Sequence, residues 1–253
     1  GSNVAVGYLS LSANTTAASN TAIGRSSMAL NTTGANNTAV GFASLDSNTT
    51  AANSTAIGSN ALGVNTTGSN NTALGYGALF DNTTGANNVA VGYLALENNT
   101  TANYNAAFGY AALSTNTTGT QNSASGNWSL YLNTTGNYNT AHGYEALRAN
   151  TTASFNTAIG YHALTANIEG TRNTAVGYNA LDAFTGSGTA ENTAVGFETG
   201  GSLTSGTFNT FVGGQAALAT TTGSYNVALG NSALAANTTA NNNTAVGYAA
   251  LIA

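Results

Sequence analysis

Few side chains in this sequence can do chemistry, and their spacing shows how they meet. Two histidines, His142 and His162, three arginines and eight acidic residues carry the charge, with no lysine and no cysteine. His142 follows Ser125 by one period of a sequence repeat, which places the two in neighbouring turns of the structure. A Ser–His contact is the beginning of a nucleophile and base, but such a pair needs a carboxylate to orient the imidazole, and none recurs at that spacing. The expectation is a satisfied polar pair in the interior, not a catalytic one, and the chain is not expected to be an enzyme. His162 and Trp128 fall at a variable position of the repeat and are expected on the surface.

Other chemistries fail on residue supply. Calcium-binding repeats need aspartates turn after turn, whereas Asp46, Asp81 and Asp182 are the whole aspartate complement. Without cysteine there is no thiolate metal site, and the glycine-rich turns lack the Lys-Ser/Thr partner of a phosphate cradle. No metal and no cofactor are expected. A net charge of −5 with only three basic residues argues against nucleic acid as partner. No apolar run approaches the length of a membrane span, so no membrane insertion is expected of this segment.

Two recurrent groups remain. Ten asparagines open an Asn-Thr-Thr triplet: Asn14, Asn31, Asn48, Asn65, Asn82, Asn99, Asn116, Asn133, Asn150 and Asn237. Each fits the acceptor pattern for N-linked glycosylation. The competing explanation is structural, since stacked asparagines hydrogen-bond one another from coil to coil. The second group is a column of tyrosines that includes Tyr76, Tyr93, Tyr110, Tyr144, Tyr161 and Tyr178. It predicts either a stacked aromatic ladder or an exposed stripe for gripping sugars or protein.

What positions these residues is a single period. The phrase Asn-Thr-Ala-(Val/Ile)-Gly recurs fifteen times, its glycine running from Gly7 to Gly247 at intervals of 17 residues, with one interval of 19 between Gly177 and Gly196. A strict short period along a whole chain predicts a solenoid, in which each repeat buries its apolar face only against its neighbours. With the glycine as position 5, the consensus is Asn-Thr-Ala-Val-Gly-Tyr-x-Ala-Leu-x-x-Asn-Thr-Thr-Gly-x-Asn. Seventeen residues this rich in Gly and Asn cannot hold two helices. The pattern predicts a strand over positions 2–4, a second near positions 6–9, and a turn-rich return over positions 10–17. The fold class is therefore all-β: a parallel β-solenoid with one repeat per coil and about 15 coils, on the order of 70 Å long.

The columns suggest an inside and an outside. Positions 2 and 4 share a face, and position 4 is apolar in all repeats but those of Ser125 and His142, so this face is expected inside. Alanine fills position 3 in every repeat but that of Phe211, which implies a tight contact with another wall of the coil or another chain. The glycine at position 5 fits a corner or close backbone approach. The extra two residues fall in the stretch 182–191, a candidate recognition loop on a rigid scaffold, where deleting two residues is expected to preserve folding.

The runs Asn36-Asn37-Thr38-Ala39-Val40-Gly41 and Asn87-Asn88-Val89-Ala90-Val91-Gly92 resemble the Asn-Ser-Val-Ala-Ile-Gly motif of YadA-type heads of trimeric autotransporter adhesins. The phrase Asn-Thr-Ala-Ile-Gly-Tyr-x-Ala-Leu also resembles repeats of bacterial and phage tail-fibre proteins. The resemblance runs coil by coil along the chain, although the coil here is longer than in those heads. It implies a left-handed β-roll, a homotrimer of chains side by side, and display outside the cell or virion for attachment to a host-surface or matrix receptor. Residues 1–253 are expected to form one continuous segment of a longer fibre. The alternatives are a self-assembling extracellular filament joined head to tail and an ice-binding solenoid suggested by the ranked threonines, although adjacent threonines on a strand face opposite ways.

Overall fold

A computed structural model describes residues 1–252. It contains no helix among them; every regular element is a short β-strand. The chain divides into two compact units, Gly1–Asn122 and the remainder from Ser123 onward. Each is a β-solenoid of stacked coils.

In the first unit the strands Val4–Val6, Thr21–Ile23, Thr38–Val40, Thr55–Ile57, Thr72–Leu74, Val89–Val91 and Ala106–Phe108 pair in parallel, each with the next. Register is one repeat throughout, so like residues stack: Thr38 on Thr55, Ala39 on Ala56, Val40 on Ile57. The second unit stacks Ser123–Ser125, Thr140–His142, Thr157–Ile159, Thr174–Val176, Thr193–Val195, Thr210–Val212, Val227–Leu229 and Thr244–Val246 in the same way.

The strand over positions 2–4 is present, but the expected second strand over positions 6–9 is not. That segment is a run of turns. Its backbone is left-handed at positions 7 and 9, as at Asn60 (φ 60°) and Leu62 (φ 51°), and again at position 17, as at Asn70 (φ 61°). Left-handed backbone is disfavoured for a residue with a Cβ by roughly 1–2 kcal/mol. The coil tolerates it because the turns are laddered as fully as the strands. Leu62 N–H donates to Ala78 O at 3.0 Å, and Thr66 N–H to Thr83 O at 2.9 Å. The position-5 glycine has φ near +135°, and a Cβ there would strike the backbone carbonyl of the glycine one coil on, as at Gly58 above Gly75.

The interior reverses the expected facing. Position 3 points inward: Ala39, Ala56, Ala90 and Ala158 are fully buried. Position 4 points outward, leaving Ile57 41% and Ile159 40% exposed. The tight contact implied by alanine is thus the opposite wall of the same coil. Position 9 leucines such as Leu45 and Leu147, small residues at position 8 and the asparagines of positions 1 and 12 complete a narrow core. Alanine and not valine lies inside because the tube has no room for more.

Two asparagine columns converge on one carbonyl. Within a coil, Asn37 Nδ2 and Asn48 Nδ2 both donate to Ala51 O, at 2.8 and 3.1 Å. Asn88 and Asn99 do the same to Ala102 O, and Asn139 and Asn150 to Ala153 O. Between coils, Asn48 Nδ2 donates to Asn31 Oδ1 at 2.6 Å, and Asn37 N–H to Asn20 Oδ1 at 2.9 Å. Each amide is therefore used both within its coil and between coils, as a buried polar group requires. Where Ser54 replaces the position-1 asparagine, Asn71 of the following coil reaches back to Gly68 O at 3.1 Å while keeping its own Gly85 O at 2.7 Å.

The irregular coils of the second unit compensate locally. Phe184 takes the place of a position-12 asparagine and is fully buried, which ends that ladder and leaves Asn167 Oδ1 without a partner. The two added residues lie in the return that follows. There Gly188–Thr189 pairs in parallel with Gly170–Thr171, and Arg172 Nη1 meets Glu191 Oε1 at 3.0 Å. At Gly200 the usual leucine is missing, and the ring of Phe211, standing where alanine is usual, fills the space: a Cβ on Gly200 would lie 3.0 Å from Phe211 Cδ2.

Candidate functional site

Directly after the glycine corner, position 6 projects an aromatic ring from coil after coil. In the first unit Tyr76, Tyr93 and Tyr110 stack with centroids 5.3 and 5.2 Å apart and planes within 14°. In the second, Tyr144, Tyr161, Tyr178 and Phe197 stack at 5.3, 5.3 and 5.2 Å. The ladder and the exposed stripe are therefore the same object, since the rings stack on one another and remain 36–49% exposed for the six tyrosines. Shorter ladders occur at position 17, where Tyr138 stacks on Phe155 and Phe208 on Tyr225.

Beside the second tyrosine run lies a polar strip that position 7 supplies. His162 lies against Tyr161 with ring centroids 4.0 Å apart, and its Nε2 is 3.3 Å from Glu145 Oε2. Arg148 Nε is 3.9 Å from Glu145 Oε1, and its guanidinium stands over Tyr131 at 5.8 Å. Trp128 packs edge-on to Tyr144 at 5.5 Å. Burial, the Glu145 carboxylate and Tyr161 push the Tyr144 phenol above its ordinary value, against the opposing pull of Arg148. Further along, Asn179, Asp182, Glu198, Gly201, Ser202 and Leu218 line a shallow depression. Desolvation raises the Asp182 carboxyl, with Glu198 adding to it and the backbone amides of Asp182 and Ala183 and His162 opposing. That the variable positions 7 and 10 lie side by side was not legible in the sequence, because a turn with left-handed backbone at position 7 brings them together.

Ser125 and His142 do sit opposite one another in adjacent strands. They are not the buried pair expected, because position 4 faces outward: His142 is exposed and Ser125 half-buried. The glycosylation pattern meets an obstacle of the same kind. Asn31, Asn48, Asn65, Asn82, Asn99, Asn116, Asn133 and Asn150 are fully buried. Their amide nitrogens donate to the carbonyl three residues on, so a glycan at Nδ2 does not fit a folded coil. Asn14 and Asn237 are half-buried, each still donating to the equivalent carbonyl. The first threonine of the triplet is structural as well, as Thr83 Oγ1 donates to Thr100 O at 3.0 Å.

Among the described residues, no three His, Asp or Glu side chains stand together as metal ligands, and no helix is long and apolar enough to cross a membrane. Compared with known proteins, the sequence matches no family model and no curated protein.

Proposed function

We propose that the chain is a structural and adhesive segment of an extracellular fibre, in which copies pack side by side and present an aromatic stripe to a host-surface or matrix receptor. One observation carries the reading: the branched apolar residues of position 4 point away from the core. Val40, Ile57, Leu74 and Val91 succeed one another along the first unit, as Ile159, Val176, Val195 and Val212 do along the second. A long apolar stripe that stays half-buried to exposed marks an interaction surface. Its partner has to offer apolar groups at the same coil spacing, and a second copy of the chain does so by construction. The trimer that the family resemblance implies closes such a stripe on itself.

Light scattering on the intact chain tests this. A trimeric mass is expected, converting to monomer when Ile57 and Ile159 are both changed to Asp. Both residues lie outside the coil, so the variant keeps its circular dichroism spectrum. A wild-type chain that is monomeric at micromolar concentration overturns the reading, and concentration-dependent fibres in electron microscopy would favour head-to-tail assembly instead.

A further inference from the structure

The tyrosine runs bring phenol rings of neighbouring coils together in stacked columns. The sequence holds no cysteine, one methionine and one tryptophan against 12 tyrosines. Met28, the only thioether, is fully buried. An oxidant at the surface therefore meets tyrosine above all. In the second unit Tyr144, Tyr161 and Tyr178 hold their rings stacked at 5.3 Å between centroids, with planes within 10° of parallel. Because register is one repeat, the phenol rings recur in one column from coil to coil, so the rings that must join are already neighbours.

We propose that Tyr144, Tyr161 and Tyr178, and likewise Tyr76, Tyr93 and Tyr110, are oxidised to dityrosine between neighbouring coils of one chain, by a haem peroxidase charged with hydrogen peroxide or an equivalent one-electron oxidant. Each of two phenols gives up one electron and its hydroxyl proton. The peroxide takes up both electrons and both protons and leaves as two waters. The two phenoxyl radicals couple through ring carbons ortho to oxygen, forming one carbon–carbon bond. Each joined ring then moves its displaced ring hydrogen to the oxygen and recovers its aromaticity. The product is a covalent staple across one coil step, in a chain that has no cysteine for a disulfide.

The sequence supplies the assay. An arginine-specific protease acting on the denatured product cuts after Arg25, Arg148 and Arg172, which puts Tyr144, Tyr161 and Tyr178 on three different fragments. Tyr161 is the one tyrosine of the fragment 149–172. The intact folded chain, mixed with an equal amount of isotope-labelled chain, is treated with peroxidase and peroxide at high dilution, then unfolded and cut. Dityrosine fluorescence should rise, and mass spectrometry should find fragment 149–172 joined to a neighbour, lighter by two hydrogens per bond and of uniform isotope label. Tyr161→Phe should abolish that joining while preserving the fold, because Phe197 and Phe42 already occupy the same column. Oxidation of the denatured chain should lower the joined yield several-fold. The proposal is overturned if 149–172 stays unjoined, if the joined fragments carry mixed labels, or if Tyr161→Phe leaves the joining intact.

Discussion

At the residue scale, the asparagines set the stability of the coil. Asn150 donates to Ala153 O at 3.0 Å and to Asn133 Oδ1 at 2.7 Å, and it accepts from Asn167 Nδ2 at 3.2 Å. Replacing it with alanine strands several buried partners at once, at about 1–3 kcal/mol for each group left unsatisfied. Asn167 has no acceptor role, because Phe184 follows it in the column. Chemical denaturation should therefore show Asn150→Ala to be clearly more destabilising than Asn167→Ala; equal losses would remove the ladder argument. The ionisable residues act in the opposite sense. Desolvation lifts the Asp182 carboxyl above 3.8, so the folded chain holds that proton more tightly than the unfolded chain. This carboxylate thus lowers stability above its folded pKa, and the penalty fades as pH falls toward 3.8 and below. Asp182→Asn should raise the melting temperature at neutral pH, with the difference closing in acid; a constant difference across pH would exclude titration as its cause.

At the scale of the coil, sequence reasoning gave the right element and the wrong facing. Gly58 and the stacked asparagines were legible because each is close to the only residue type its position accepts. The three-residue strand was legible as well, but three alternating residues cannot say which side is inside. The assumption that branched apolar residues face the core fails here, since Ala56 fits the narrow tube and Ile57 does not. The missing second strand has another cause. Leu62 in left-handed conformation has no sequence signature, and its conformation is imposed by the ladder above and below it. The polar strip of Glu145, His162 and Asp182 stayed hidden for the same reason. Compensation between coils is testable at Gly200 and Phe211. Phe211→Ala should cost about 3–5 kcal/mol through the cavity it leaves. Gly200→Leu alone should cost about 1–3 kcal/mol or more by overpacking against that ring. Together they restore the usual leucine and alanine, so the double variant should be more stable than either single one; additive losses would refute the volume exchange.

At the scale of the molecule, solubility rests on Asn, Thr and Ser, because charged residues make up only 4% of the chain. A solenoid draws its stability from nearest-neighbour interfaces, so each coil depends on the one beside it. The left-handed residues at positions 7, 9 and 17 make that dependence severe. The first coil to form bears all of that unfavourable geometry with no ladder to offset it, whereas every later coil settles on a surface that already has the required shape. Folding should then resemble crystal growth: a slow search for a critical nucleus of a few coils, followed by rapid accretion at its edges. An isolated repeat would be a poor peptide copy of its own structure, since its conformation is inherited from the layer beneath.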